Sequence, residues 1–373
     1  MGNVKTKQSH KRKARSAGEP RLIGPCTVSA RTKSLRWLIL LLPFILFGQR
    51  GSSQDIHFSQ FYEAPLLRNP ALAGIFTGDY RVQAIFHDQW NSFVNAYRTG
   101  SLSGEYKWAV GKGTDYVTTG LEVLYDKAGT AALNTTELLS ALNYNKSLSN
   151  EKPMYLSVGF MGGLVEKTID RSKITTNSQY NGTAYDPALP DGEPILTPNV
   201  RYLDGSLGIS FNTTFGENHA NAMYAGFAYH HLNRPKNSFY KNPSIELDPK
   251  FVVSGGIKNV INEYTYFTVQ ADYSRQGSYQ EIIGSVLYSY KLGDDQPNSA
   301  YTVSVGANLR WRDALIPVIK LDMNSFAVAL SYDVNVSELK TVSQGRGGFE
   351  LTLSYIGLLD HESTIYRTLC PKF

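Results

Sequence analysis

The chain has little of what disulfide frameworks, cysteine metal sites and membrane-spanning helices require. Cysteine occurs twice in 373 residues, at Cys26 and Cys370, which excludes a disulfide scaffold or a cysteine zinc cluster. The longest apolar run, Trp37–Phe47, has eleven residues and is too short to cross a bilayer as a helix. Phosphate loops, dinucleotide fingerprints, paired metal-ligand motifs and nucleophile elbows are also missing. We therefore expect no catalytic, cofactor or metal site and no enzyme activity.

Basic residues are concentrated at the start of the chain. Residues 1–53 contain eleven of the 37 lysines and arginines but only one acid, Glu19, which leaves 26 basic and 31 acidic residues for the rest. The overall charge of +5 therefore belongs to the N-terminus, and the remainder of the chain is mildly acidic. This distribution argues against nucleic acid as a partner.

Residues 33–53 have the organisation of a secretory signal peptide. Lys33 and Arg36 precede the apolar run, and Gly-Ser-Ser follows it. We expect cleavage before Gln54, so that residues 1–53 are a basic extension plus signal peptide. A buried core helix is the alternative for the apolar run, but no amphipathic sequence surrounds it.

After the expected cleavage site, apolar and polar residues alternate with a period of two. Within 301–312, Val305 and Leu309 fall on one face and Ser304 and Asn308 on the other. A soluble β-sandwich also alternates, but here the strands are long, aromatic residues recur at strand ends, and the second face is polar. We therefore expect an all-β fold, an antiparallel outer-membrane β-barrel in the lipid bilayer, because closure satisfies every backbone amide there.

The alternation predicts about fourteen strands. We place them at 79–88, 97–108, 116–125, 133–145, 154–166, 201–212, 222–231, 250–259, 264–274, 279–290, 300–311, 315–322, 325–333 and 347–356. With the N-terminus in the periplasm, connections after odd-numbered strands face outside, where barrels have their longer loops. The long connections 167–200, 232–249 and 334–346 all follow odd-numbered strands. We expect 79–357 to form the barrel and 358–373 a periplasmic tail.

Histidines are the remaining candidates for chemistry. His87 lies beside an aspartate near the outer rim, as in outer-membrane hydrolases, but no nucleophile or second acid is apparent. His230 and His231 end a strand and should point to opposite faces, so we interpret them as an interfacial polar tip rather than a metal site. His57 and His361 are expected to lie outside the barrel in solvent.

The two longest connections are rich in tyrosine and proline. Tyr180 and Tyr185 lie in one of them, and Phe239 and Tyr240 lie in the other. Proline limits the freedom of an unfolded loop, and tyrosine provides contact area at low entropic cost. We interpret these four residues as candidate partner-binding residues; connections that only cap the barrel are the alternative.

Residues 54–78 precede the first strand and are not strand-like. Phe58, Phe61 and Tyr62, with two leucines nearby, make this segment too apolar to remain in solvent. We expect it to act as a plug in the lumen or to cross the periplasmic mouth of the barrel.

Short motifs bracket the mature chain. They are Phe58-Ser59-Gln60-Phe61-Tyr62, Asn69-Pro70-Ala71 with Gly74, Gly348-Phe349-Glu350, and Cys370-Pro371 with Phe373. Together they resemble the PorP/SprF family of type IX secretion system outer-membrane proteins from Bacteroidetes. The middle third, which carries the longest connections, shows no motif of that family.

The resemblance implies a barrel that serves type IX secretion or gliding motility. It implies an anchor or export partner for a large secreted surface adhesin with a type B C-terminal domain, and contacts with periplasmic components of the secretion machine. It implies no catalytic residues.

The main alternative is a FadL-like outer-membrane transporter of hydrophobic small molecules. Such proteins also carry an Asn-Pro-Ala element before the barrel, similar to Asn69-Pro70-Ala71. A transporter of this kind needs a continuous apolar pocket, whereas the inward faces predicted here are polar. An outer-membrane enzyme would need converged acid–base groups at the rim, which the sequence does not show.

Overall fold

The chain folds into a closed antiparallel β-barrel of fourteen strands. The computed structural model describes residues 55–89, 97–111, 113–129, 132–242, 244–293, 300–337 and 346–359. The strands are β1 Tyr80–Gln89, β2 Tyr97–Ala109, β3 Tyr116–Ala128, β4 Leu133–Ser147, β5 Met154–Thr168, β6 Asn199–Phe215, β7 Asn221–His230, β8 Lys250–Val260, β9 Thr265–Gln276, β10 Tyr279–Leu292, β11 Tyr301–Arg310, β12 Ala314–Met323, β13 Phe326–Asn335 and β14 Arg346–Gly357. Each strand pairs with its neighbours in sequence, and β14 pairs with β1 to close the sheet.

The sequence prediction of a fourteen-stranded barrel is confirmed, and no predicted strand end differs from the observed one by more than three residues. The agreement follows from the alternation, because a strand with lipid on one side and polar groups on the other must change character at every residue. On β11, Val305 and Leu309 are 53% and 44% exposed on the outer surface, whereas Ser304 and Asn308 are buried inside. The outer surface is therefore apolar and the lumen is polar, as in a barrel surrounded by lipid.

The connections make the two ends of the barrel unlike. Connections 169–198 and 231–249 emerge at one end, which we call the long-loop end. The opposite end, the short-turn end, carries turns such as 261–264 and 324–325, and β1 begins there. Among the described ranges, no helix is long and apolar enough to cross a membrane.

Residues 55–79, which we call the luminal segment, lie inside the barrel. They form a 3₁₀ turn at Phe61–Glu63, one α-helical turn at Pro65–Arg68 and a second 3₁₀ turn at Pro70–Leu72. The two prolines stand at the first positions of their turns, where no backbone donor is needed. The segment starts near the long-loop end and runs to the short-turn end, where it enters β1.

A small apolar core forms between the luminal segment and the barrel wall. Leu66 and Ala73 pack against Leu139, Ala141 and Met161 on β4 and β5. Burying a leucine side chain of this kind stabilises by about 1.5–3 kcal/mol. Two further apolar clusters hold Phe58 and Tyr62, and hydrogen bonds and ion pairs hold other parts of the segment.

Candidate functional site

Glu350 on β14 is the main acceptor for the first half of the luminal segment. Its buried carboxylate accepts hydrogen bonds from the backbone N–H groups of Ser59 (2.8 Å) and Gln60 (2.6 Å). Nδ1 of His87, on β1, lies 2.9 Å from the same carboxylate. Buried polar groups need hydrogen-bond partners, so these three contacts satisfy the Glu350 side chain and fix the path of the segment.

The other polar groups of Ser59 are bound by β11 and β13. Its Oγ donates to Asp333 Oδ2 (2.8 Å) and accepts from an Arg310 guanidinium nitrogen (2.9 Å). Its carbonyl oxygen accepts from the Asn308 side-chain amide at 2.8 Å. The N–H, the hydroxyl and the carbonyl of Ser59 are thus all satisfied by side chains of the barrel.

Arg68 provides a second polar attachment. Its guanidinium binds the Asp272 carboxylate of β9 through two contacts of 2.6 and 2.5 Å, and it donates to the Tyr224 hydroxyl at 2.9 Å. The guanidinium carbon also lies 4.9 Å from the ring centroid of Phe61. The bidentate geometry specifies arginine, because lysine cannot reproduce two parallel contacts.

The Asn69-Pro70-Ala71 motif packs directly on the backbone of β5 and β6. A Cβ at Gly159 would lie 2.4 Å from the carbonyl carbon of Pro70, and a Cβ at Gly208 would lie 1.9 Å from Asn69 Oδ1. Asn69 Oδ1 accepts from the N–H of Ala71 at 2.8 Å and caps the turn that follows. The two glycines therefore make room for the motif.

Two polar side chains of the barrel donate hydrogen bonds to this motif and to the residues after it. The Asn143 amide donates to the carbonyls of Ala71 (3.1 Å) and Ala73 (2.7 Å), and Ser210 Oγ donates to Ala71 at 2.7 Å. These turn carbonyls are out of reach of water, so the barrel supplies the donors they lack.

Gly74 marks the place where the segment turns towards β1. Its backbone adopts a φ of +83°, which favours glycine, and a Cβ would lie 2.2 Å from Thr118 Oγ1. Its N–H donates to Glu105 at 2.8 Å, and the same carboxylate pairs with Arg81. Conformation and space thus both select glycine here, whereas the hydrogen bond from its N–H group excludes only proline.

The remaining motif residues have different environments. Phe58 is buried against Ile85, and Tyr62 packs against a cluster on β10 and β12. Gly348 lies beside His87, whereas Phe349 points outward and is 41% exposed. Cys370, Pro371 and Phe373 lie outside the described residues. The structure therefore brings together most of the motif residues within 58–74, with Glu350, in one luminal network.

The long-loop end of the lumen opens into a cavity of about 190 Å³, which we call the vestibule. Ile56 and Leu67 of the luminal segment line it from below. Its walls come from the inward-facing residues of β3 to β6, together with residues 230, 231, 247 and 250. A smaller cavity of about 80 Å³ lies at the short-turn end and shares no lining residue with the vestibule.

His231 lies between two carboxylates at the edge of the vestibule. Its Nε2 lies 2.8 Å from Asp55 Oδ2, and its Nδ1 lies 2.7 Å from Asp204 Oδ2. Burial lowers the pKa of His231, but the two carboxylates outweigh that effect and raise the pKa to about 9. Lys250 Nζ lies 3.5 Å from Asp55, so the first described residue of the luminal segment is held by two cations.

The structure corrects the sequence interpretation of the histidines. His230 and His231 are both buried rather than an interfacial tip, because His231 has a φ of +59° and turns inward beside its neighbour. His57 lies inside the lumen, 3.8 Å from Glu281, and not in solvent outside the barrel. His361 lies outside the described residues.

The neighbouring His87 and Asp88 do not form a joint site. His87 points inward to Glu350, and Asp88 pairs with Arg98 at 3.4 Å. In the ranges that the structure describes, no group of three or more histidine, cysteine, aspartate or glutamate residues could hold a metal ion.

The two long connections are joined to each other. The carbonyl of Phe239 accepts from the N–H groups of Leu196 (3.1 Å) and Thr197 (3.2 Å), and the Tyr240 hydroxyl donates to Glu193 at 3.1 Å. We call the surface formed by connections 169–198 and 231–249 the joined loop surface.

The joined loop surface also presents aromatic rings. Tyr180 and Tyr185 form an isolated β-bridge within connection 169–198 and are 57% and 47% exposed. Tyr240 is 41% exposed, whereas Phe239 is half-buried. Their role in partner binding stays a prediction.

The sequence was also compared with known proteins. It matches the family model described as "Type IX secretion system membrane protein PorP/SprF" over residues 50–355. No curated protein matches it.

The solved structures to which the chain is similar include the following three outer-membrane proteins. The P. putida toluene transporter TodX shares 9% identity at a TM-score of 0.44, covering 84% of this chain and 97% of that chain. The CymD monoaromatic hydrocarbon channel shares 10% at 0.44, covering 83% and 96%. The KdgM porin shares 9% at 0.34, covering 75% and 99%. The family model spans most of the chain, and the protein therefore belongs to the PorP/SprF family of type IX secretion system membrane proteins.

Proposed function

We propose that this barrel is an outer-membrane component of the type IX secretion machinery that anchors a large secreted surface protein or assists its export. The observation that carries the proposal is the joined loop surface, where two long connections are held together and present aromatic rings. Tyrosine side chains on a restrained loop lose little entropy on binding, so such a surface suits a protein partner.

The filled lumen supports the same function. The luminal segment is bound to at least six strands through buried hydrogen bonds, ion pairs and close backbone packing. A barrel whose interior is occupied in this way is suited to a scaffold role, and its working surfaces are then its two ends.

We assign the two ends to different partners. The long-loop end faces outward and holds a secreted adhesin with a type B C-terminal domain, which would also link the protein to gliding motility. The short-turn end faces the periplasmic components of the secretion machine. The chain reaches the outer membrane after a signal peptide is cleaved before Gln54, and it has no enzymatic activity.

The FadL-like transporter is the alternative function. It requires a continuous apolar route through the lumen. The described lumen is crossed by polar contacts such as those of Ser59, Arg68 and Glu350, and the two cavities share no lining residue. These features favour the scaffold.

Purification from the native outer membrane tests the proposal, with bound proteins and lipids identified by mass spectrometry. The double variant Tyr180→Leu/Tyr240→Leu should recover much less secreted surface protein than the wild type. Tyr332→Leu is the matched control, because Tyr332 is similarly exposed (44%) but lies on the lipid-facing side of β13. Recovery of a bound hydrophobic small molecule, and of no secreted protein, would support the transporter instead.

A further inference from the structure

The charged groups of the vestibule fall into two sets. On the side of β6 to β8, Asp55, Asp204, His231 and Lys250 neutralise one another through contacts of 2.7–3.5 Å. That set is complete without a ligand.

The second set, on β3 to β5, is not complete. Asp126, Glu137 and Lys167 all line the vestibule, but no two of them form an ion pair within 4.0 Å. Asp126 accepts a hydrogen bond from Thr99 Oγ1 at 2.6 Å, whereas Glu137 has no hydrogen-bond or ion-pair partner among the described residues. Two carboxyl groups thus face one ammonium group, so acidic groups outnumber basic ones on this wall.

Apolar side chains lie deeper in the vestibule, below these charges. Leu124, Leu139 and Met161 line the wall, and Ile56 and Leu67 of the luminal segment line the base. The inner face alternates along each strand, so Leu124 lies two residues from Asp126 and Leu139 two residues from Glu137. The cavity therefore has an apolar base and an acidic upper wall.

We propose that the vestibule is a receptor site for a basic side chain, lysine or arginine, presented by the exported partner. Such a side chain combines an aliphatic stem with a cationic head. The stem would pack on Leu124, Leu139 and Met161, and the head would pair with Glu137 and Asp126. The identity of the partner rests on the proposed function, because the vestibule lies at the end that carries the joined loop surface. A cavity of about 190 Å³ is far larger than the roughly 10–15 Å³ that a single water needs.

Charge-selective labelling tests the cation preference without any partner. Ala128, which is half-buried and lines the vestibule, is replaced by cysteine in a Cys370→Ser background, with Thr183→Cys on the exposed connection as the control. The purified protein is treated with a trimethylammonium or a sulfonate methanethiosulfonate reagent. The measured quantity is the labelling rate of the cationic reagent divided by that of the anionic reagent. This ratio should be about tenfold or more higher in Ala128→Cys than in Thr183→Cys.

Charge variants show whether the acidic residues cause the preference for the cationic reagent. Glu137→Gln with Asp126→Asn should abolish the preference, and Lys167→Gln should increase it. Equal rates for both reagents in Ala128→Cys, or a ratio that the acidic pair does not control, would overturn the proposal.

The partner is tested separately by recovery of the secreted protein from native membranes. Glu137→Gln should lower that recovery, whereas Tyr332→Leu, on the lipid-facing side of β13, should leave it unchanged. Unchanged recovery in Glu137→Gln would overturn the assignment of the site to the partner. If the wild type recovers no secreted protein, the proposed function fails, and the assignment of the site to that partner fails with it. The labelling ratio still decides whether the vestibule prefers cations.

Discussion

Replacing Glu350 by glutamine should release the first half of the luminal segment. The carboxylate accepts from two backbone N–H groups, those of Ser59 and Gln60, and it is fully buried. Glutamine has one oxygen, so its NH₂ group would face the second backbone donor. Hydrogen bonds to a charged group contribute about 1.5–3 kcal/mol each, and a buried donor left unpaired costs a similar amount. We therefore expect Glu350→Gln to weaken the docking of residues 58–60 by about 3 kcal/mol.

Hydrogen exchange measures this loss directly. A change of about 3 kcal/mol in the opening free energy raises the exchange rates of the Ser59 and Gln60 amides by roughly a hundredfold. The matched control is Thr352→Val, because Thr352 is buried two residues further along the same inner face and its hydroxyl has no hydrogen-bond partner among the described residues. Thr352→Val should leave both amides protected. Unchanged protection in Glu350→Gln would show that the carboxylate does not hold the segment.

The other predictions concern the packing of the Asn69-Pro70-Ala71 motif, the pH dependence of stability and the Arg68 ion pair. Gly159→Ala should displace residues 69–71, because its Cβ would lie within 2.5 Å of three backbone atoms. The control is Gly104→Ala, whose Cβ meets no atom within 4 Å. Equal protection of the Ala71 and Ala73 amides against hydrogen exchange in the two variants would contradict the packing argument. The raised pKa of His231 means that its ion pairs contribute their full stability below the ordinary value of 6.5, and that this contribution is lost as pH rises through about 9. The Tm difference between the wild type and His231→Asn should therefore shrink over that range; a difference independent of pH would argue against a charged His231. Arg68→Lys should lower the Tm measurably, since it removes the bidentate contact with Asp272, and an unchanged Tm would mean that a point charge is sufficient there.

The barrel could be predicted from the sequence because its strands carry a local signal. Lipid outside and polar groups inside force the alternation at every residue, so Val305 and Ser304 reveal their faces without any knowledge of their neighbours. The lengths of the connections carry the second local signal, because long and short loops emerge at opposite ends of the barrel.

The luminal network could not be predicted in the same way. Ser59 and Glu350 are 291 residues apart in the chain, and Arg68 and Asp272 are 204 apart, and alternation does not say which inward-facing residues meet. The motif residues pointed to the segment but not to its partners on the wall. Charged residues at inward-facing positions, such as Asp272 and Glu350, indicate that a polar segment of the chain is bound in the lumen.

The histidines show the limit of the period-two rule. His231 was assigned to the opposite face from His230 because strand neighbours alternate. The strand ends at His230, and the positive φ of His231 reverses its direction. A residue just beyond a strand end no longer follows the alternation of that strand, and sequence alone does not locate the end to within one residue.

The position of Glu350 also sets an order of assembly. The residues that bind Ser59 and Gln60 lie on the last strand of the barrel, so the beginning of the luminal segment has no complete binding site until β14 is in place. The segment is synthesised before any strand, yet two of its backbone donors have their acceptor on the last strand. A barrel that lacks its final strand therefore leaves the backbone N–H groups of Ser59 and Gln60 without their acceptor, although Phe58 still meets Ile85 on β1.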